Sequence, residues 1–224
     1  MPKAVIDSGT MISLSSTCLM NIFKNFVNHN KIDLMVSSAV AKESVWRPIT
    51  NKRFALNAAR IKHAFNDGVV NVVESTSEVR KLEGEILALT NACFSTKFGP
   101  VKIIQQGEAE ALALAKIYGA KALFVDERTT RSLIEDPSRL KQVIQKKQHT
   151  GIEANMEKIK EFRAMFSDLK IFRSVDLIAY AYKQDLFGDE LDHGKLELEA
   201  ALYAAKFAGC AVSEKEINEY LNKK

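Results

Sequence analysis

Short apolar runs alternate with amphipathic stretches along the first 130 residues. Residues 3–6 form an apolar run ending in Asp7-Ser8-Gly9, after which Met11, Leu14, Leu19, Ile22, Phe23 and Phe26 recur at helical spacing; a strand feeding one helix over 11–27 is predicted. Leu34-Met35-Val36 reads as a second buried strand, followed by Ser37 or Ser38 as the cap of a helix that carries Glu43 and closes at Pro48. Amphipathic helices over 51–65 and 77–94 flank the β-branched strand 69–73. Gly107 opens a further helix through Tyr118, Gly119 stands at its C-terminal cap, and Ala122-Leu123-Phe124-Val125 forms a strand ending in Asp126.

Beyond Arg131 the spacing is helical over 138–148, 153–166, 175–187, 195–208 and 213–221, with Lys170-Ile171-Phe172 as one more strand. Ser213 and Glu216 form a capping box at the start of the last helix. Alternation of this kind predicts an α/β protein, a three-layer α/β/α fold around a central, mostly parallel sheet. We expect a core over 1–135 and a mostly helical extension over 136–224 packed on the same domain.

Composition narrows the class. The 224 residues are 46% apolar and 27% charged, enough for a sizeable core, while 10 Gly and 4 Pro leave little for flexible linkers. No apolar run approaches the roughly 18 to 20 residues that cross a bilayer, so no membrane partner is expected. The N-terminus reaches Asp7 after a few apolar residues, too short for a signal-peptide core, which gives a cytoplasmic expectation. Cys18, Cys93 and Cys210 lie far apart in apolar surroundings without metal-ligand spacing and read as core thiols.

The chemistry lies in the acids. Asp7 and Asp126 directly follow apolar strands, which places both at the carboxyl edge of the sheet, where open α/β sheets bind ligands. Glu43 lies seven residues beyond Val36, near the start of the helix after the second strand, and Glu110 falls in the first turn of the Gly107 helix, aimed at the same rim. Clustered carboxylates are costly to desolvate without cations, and an all-oxygen set favours Mg²⁺ or Mn²⁺. Metal-assisted phosphodiester hydrolysis is the natural chemistry, with Asp7, Glu43, Glu110 and Asp126 as catalytic and metal-binding residues. Glu108 lies about 200° from Glu110 around the helix, so the two cannot face one pocket. Glu108, with Ser8 and Glu127, is assigned a supporting role; Ser8 and Thr10 either orient Asp7 or cap the following helix.

In their order, Asp7-Ser8-Gly9 after a strand, Glu43 in Ser-Ser-Ala-Val-Ala-Lys-Glu, the run from Gly107 through Glu110 to Ala115, and Leu123-Phe124-Val125-Asp126-Glu127 resemble the acidic motifs of the PIN-domain ribonucleases. The resemblance covers residues 3 to 135 well. It implies a compact α/β/α fold, a Mg²⁺- or Mn²⁺-dependent endoribonuclease, RNA as partner, a homodimer, and a protein inhibitor or antitoxin. The chain departs from the commoner pattern in having Glu110 where many members have Asp and Phe124 where many have Ser or Thr, and it is longer than the VapC-type toxins. Those departures keep an alternative open: a weak or inactive PIN-like module that binds RNA or a ribonucleoprotein partner. The turn Asp7-Ser8-Gly9-Thr10 also resembles the haloacid-dehalogenase nucleophile turn, but Gly9 stands where that family needs a second Asp.

The net charge of +4 arises wholly between Arg128 and His149, where Arg128, Arg131, Arg139, Lys141, Lys146 and Lys147 outnumber Glu135 and Asp136. This strip beside the fourth acid is the predicted phosphate-binding surface. Trp46 is expected to pack at a helix end rather than stack on a base. Asp189-Glu190-Leu191-Asp192-His193 reads as a solvated acidic turn, and none of the four histidines is assigned to catalysis.

Overall fold

A computed structural model describes residues 1–188 and 191–222. The chain runs β1 (Lys3–Ile6), α1 (Ser8–Ser16), α2 (Met20–His29), β2 (Asp33–Ser37) and α3 (Ser38–Ala41), then a π-helical turn over Lys42–Trp46 and a 3₁₀ turn over Pro48–Thr50. There follow α4 (Ala55–Asn66), β3 (Asn71–Val73), α5 (Ser77–Asn91), β4 (Phe94–Thr96), β5 (Gly99–Pro100), α6 (Gln106–Tyr118) and β6 (Ala122–Phe124). The remainder is α7 (Arg128–Glu135), α8 (Pro137–Gln148), β7 (Glu153–Ala154), α9 (Met156–Met165), β8 (Lys170–Phe172), α10 (Ser174–Lys183), α11 (Lys195–Ala208) and α12 (Glu214–Asn222).

Five strands pair in parallel in the order β3-β2-β1-β6-β8. Because successive side chains point to opposite faces, Ala4, Ile6, Leu34, Val36 and Phe124 enter one core, shared with α1, α2, α4, α10, α11 and α12. Val5, Met35, Leu123 and Val125 enter the other, under α5, α6 and α9. The central strands β1, β2 and β6 are therefore covered by helices on both faces, which is the expected three-layer α/β/α fold. Among the described residues no helix is long and apolar enough to cross a membrane.

The last helix is tied down by Arg173, a buried guanidinium 4% exposed at the β8–α10 junction. It donates to Asp176 Oδ2 (3.2 Å), Ala211 O (3.1 Å), Glu216 Oε1 (2.9 Å) and Tyr220 Oη (3.1 Å). Burial alone disfavours its charge, but the Asp176 carboxylate and its neighbours more than offset this and raise its pKa. Glu216 also completes the expected capping box, accepting from Ser213 N at 2.9 Å.

Several expectations are corrected. The predicted helix over 11–27 is two helices joined at Thr17-Cys18-Leu19, with Cys18 at φ 61°. Ser15, Ser16 and Thr17 hydroxyls donate to nearby helix carbonyls (Ile12 O 2.9 Å, Ser13 O 3.0 Å, Ser13 O 2.9 Å) in local bonds that compete with helix continuation. Cys18 is consequently exposed at the turn, whereas Cys93 and Cys210 are core thiols. The helix expected over 153–166 starts only at Met156, because Glu153–Ala154 pairs with β4 in a small antiparallel sheet, β5-β4-β7. Trp46 is 48% exposed. Val45 takes the core position, so the next residue on the helical turn projects outward. Of the acidic turn, Asp189 and Glu190 lie outside the described residues; His193 pairs with Asp185 (3.1 Å) and stacks on Tyr182.

Candidate functional site

The parallel register sets Ile6 opposite Phe124, so the chain leaves β1 and β6 side by side. Asp7 N donates to Phe124 O (3.1 Å), and Asp7 turns into the cap of α1, its Oδ1 accepting from Thr10 N at 2.8 Å. Ser8 opens α1 directly beyond it. Gly9 is packed close: a Cβ there would stand 3.3 Å from Asp7 Oδ2. Burial pushes the Asp7 carboxyl up to about 7, and the negative charges of Asp126 and Glu108 add to this against the pull of Thr10.

Asp126 is only 4% exposed and is gripped from two distant segments. Ser174 N, at the start of α10, donates to its Oδ1 (2.7 Å), and Ala211 N, between α11 and α12, donates to its carbonyl (2.9 Å). Its other oxygen, Oδ2, is buried without a hydrogen-bond partner, and so is the Ser174 hydroxyl. A buried, unpartnered carboxylate oxygen is costly and calls for an explanation such as an ion. Cys210 lies beside both groups; burial and the Asp126 charge push its thiol up to about 12.

Glu108 closes the first turn of α6. Its carboxylate accepts from Gln105 N (2.5 Å) and Thr130 Oγ1 (2.9 Å), and burial together with the Glu127 charge raises its pKa. Glu127 itself caps α7, accepting from Thr129 Oγ1 (2.5 Å) and Thr130 N (3.3 Å). Glu110, 6% exposed, points elsewhere: Ser37 Oγ at the end of β2 donates to its Oε2 (2.8 Å), and Ser75 Oγ donates to its Oε1. With the exposed Glu43 of the π-turn it lines a cleft of about 800 Å³ that Trp46, Arg47 and Arg80 also border.

The rim thus has two parts. Asp7 and Asp126 share one field with Glu108, while Glu43 and Glu110 share the adjoining cleft; the opposed directions of Glu108 and Glu110 follow from their spacing on the helix. Among the described residues no three His, Cys, Asp or Glu side chains gather at a single point.

No family model, curated protein or solved structure matches this chain.

The donor set fits a hard cation held by few protein ligands. Mg²⁺ keeps several waters and commonly takes one or two carboxylates, which the Asp7–Asp126 pair supplies, with Asp126 Oδ2 free to ligate. Sequence reasoning could not find Ser174, Ala211 or Cys210, because they reach Asp126 only through tertiary packing. The serines that hold Glu110 carried no signal beyond capping either.

The basic strip is partly engaged. Arg131 turns toward Glu135 and Glu216 (3.9 Å each), away from the rim. Arg128, Arg139, Lys146 and Lys147 are exposed and Lys141 half-buried, and none of these five is ion-paired among the described residues. A cavity of about 1070 Å³ runs along the sheet face past Phe26, Phe124 and Phe172, and none of the rim acids lines it. Its three acids are paired, Glu135 with Arg131, Asp168 with Lys121 and Asp176 with Arg173.

Proposed function

We propose that the protein is a metal-dependent endoribonuclease of the PIN type, acting in the cytoplasm. The observation that supports this most is the Asp7–Asp126 pair: two carboxylates at the ends of adjacent parallel strands, with one buried oxygen of Asp126 beside the Cys210 thiol and without a hydrogen bond of ordinary geometry. Asp7 and Asp126 would hold Mg²⁺ or Mn²⁺. When bound, the ion lowers the pKa of a water and stabilises charge on the leaving oxygen of a phosphodiester. Glu108, steadied by Thr130, adds negative field that strengthens cation binding. Glu43 and Glu110 line the cleft through which RNA would approach, and the exposed cations from Arg128 to Lys147 would track its backbone. A homodimer and a protein inhibitor or antitoxin belong to the same reading.

A second reading is favoured by one observation. Glu110 is occupied by two serine hydroxyls, and a rim with fewer free acids suits a module that binds RNA or a ribonucleoprotein partner without cutting. Incubation of the protein with single-stranded and structured RNA in Mn²⁺ and in EDTA separates the two. Mn²⁺-dependent internal cleavage, lowered at least about 100-fold by Asp126→Asn, is expected; decay identical in EDTA, or binding without cleavage, would defeat the nuclease reading.

A further inference from the structure

The charge balance conceals a second basic segment. From residue 42 to 62 the chain carries Lys42, Arg47, Lys52, Arg53, Arg60 and Lys62 against Glu43 alone, a local excess of +5. Arg60 is committed to the fold, donating to Ser15 O at 2.9 Å. Lys42, Arg47, Lys52 and Arg53 are exposed, and neither they nor the half-buried Lys62 is ion-paired among the described residues. Two large aromatic side chains are exposed among them, Trp46 at 48% and Phe54 at 45%. A cation sits over each ring: Lys62 Nζ is 5.7 Å from the centre of Trp46 and the Arg53 guanidinium 5.4 Å from that of Phe54.

Exposed rings interleaved with unpaired cations are what a single strand needs, since every base offers a face to stack and every phosphate a charge to neutralise. A duplex hides its base faces and cannot use them. The segment begins in the π-helical turn that carries Glu43 and borders the cleft reaching Glu110. Such turns inside helices often mark functional positions. The strip beyond Arg128 offers no comparable exposed ring among the described residues.

We infer that the face built from residues 42–62 is a single-strand platform, on which an unpaired RNA base stacks on Trp46 while Arg47, Arg53 and Lys62 hold the flanking phosphates. The inference rests on the nuclease reading only in naming RNA as the ligand; its unpaired form follows from the exposed rings.

Trp46 is the sole tryptophan, so its fluorescence reports directly on this face. In EDTA, a single-stranded RNA of about 12 nucleotides should quench it saturably, and the same sequence as a duplex should not. Anisotropy of labelled RNA should show Trp46→Ala weakening binding about 10- to 100-fold, with Trp46→Phe recovering most of it. Phe54→Ala and Arg53→Ala should weaken binding to a lesser degree. Binding that leaves the fluorescence unchanged, equal affinity in Trp46→Ala, equal quenching by duplex, or no binding at all would each overturn the platform. Quenching without any Mn²⁺-dependent cleavage would leave the platform standing and remove the nuclease; cleavage with unaltered KM in Trp46→Ala would do the reverse.

Discussion

Asp7→Asn should make the metal-free protein more stable, not less, above pH 7. An unfolded Asp titrates near 3.9, whereas burial and the charges of Asp126 and Glu108 hold the folded carboxyl at about 7. Between those values the folded state binds more protons than the unfolded one, so stability falls as pH rises through this window and the full penalty is present above pH 7. Its size is on the order of 4 kcal/mol. Asparagine carries no charge yet still accepts from Thr10 N, so the cap of α1 survives. In EDTA at pH 8 the variant should melt on the order of 10 °C above wild type, and at pH 4 the two should coincide. Mn²⁺ should raise the wild type alone. Thermal unfolding at both pH values measures this; a variant no more stable than wild type at pH 8 would mean that Asp7 is not held as a frustrated acid.

Arg173→Ala should produce the largest loss of stability in the chain. The guanidinium satisfies Asp176, Glu216, Tyr220 and the Ala211 carbonyl in one buried place, and removing one member of a buried charge network costs about 3 to 5 kcal/mol. The melting temperature should fall by on the order of 10 °C. Arg173→Lys, which keeps the charge without the planar fork, should recover part of the loss. Glu216 is affected too. Although burial raises its pKa, Ser213 and Arg173 prevail and hold it at about 2. An acid held below its unfolded value contributes stability above that value and loses it as pH falls through the folded one. This contribution therefore disappears between about pH 5 and pH 2 in the wild type, and the acid transition should be shallower in Arg173→Ala. Because Ala211 both accepts from Arg173 and donates to Asp126, the variant should also bind Mn²⁺ more weakly. Urea unfolding over that pH range checks the first two effects.

The layered α/β arrangement was legible because the central strands β1, β2 and β6 are buried on both faces and stand out as short apolar runs between amphipathic helices. Apolar spacing could not show the break at Thr17-Cys18-Leu19, which hydroxyl-to-carbonyl bonds favour, or strands as short as β5 and β7, of which β7 pairs with β4 across some 58 residues of chain. The placement of Asp7 and Asp126 at strand ends could be read from sequence, since a charged residue ending an apolar run marks the sheet edge. What holds Asp126 could not: its donor Ser174 lies 48 residues away. The exposure of Trp46 turns on a single helical step beyond Val45, finer than an apolar pattern resolves. The basic segment over 42–62 was present in the residue counts, but acids elsewhere in the chain masked it.

The proposed function requires Asp7 and Asp126 together to hold a divalent cation. Calorimetric titration of Mn²⁺ into wild type, Asp7→Asn, Asp126→Asn and Glu127→Gln tests it without reference to turnover. Saturable binding in wild type and in Glu127→Gln, whose carboxylate caps α7, together with loss of binding in both aspartate variants, is the predicted result. Undiminished binding in either aspartate variant, or none in the wild type, would contradict it.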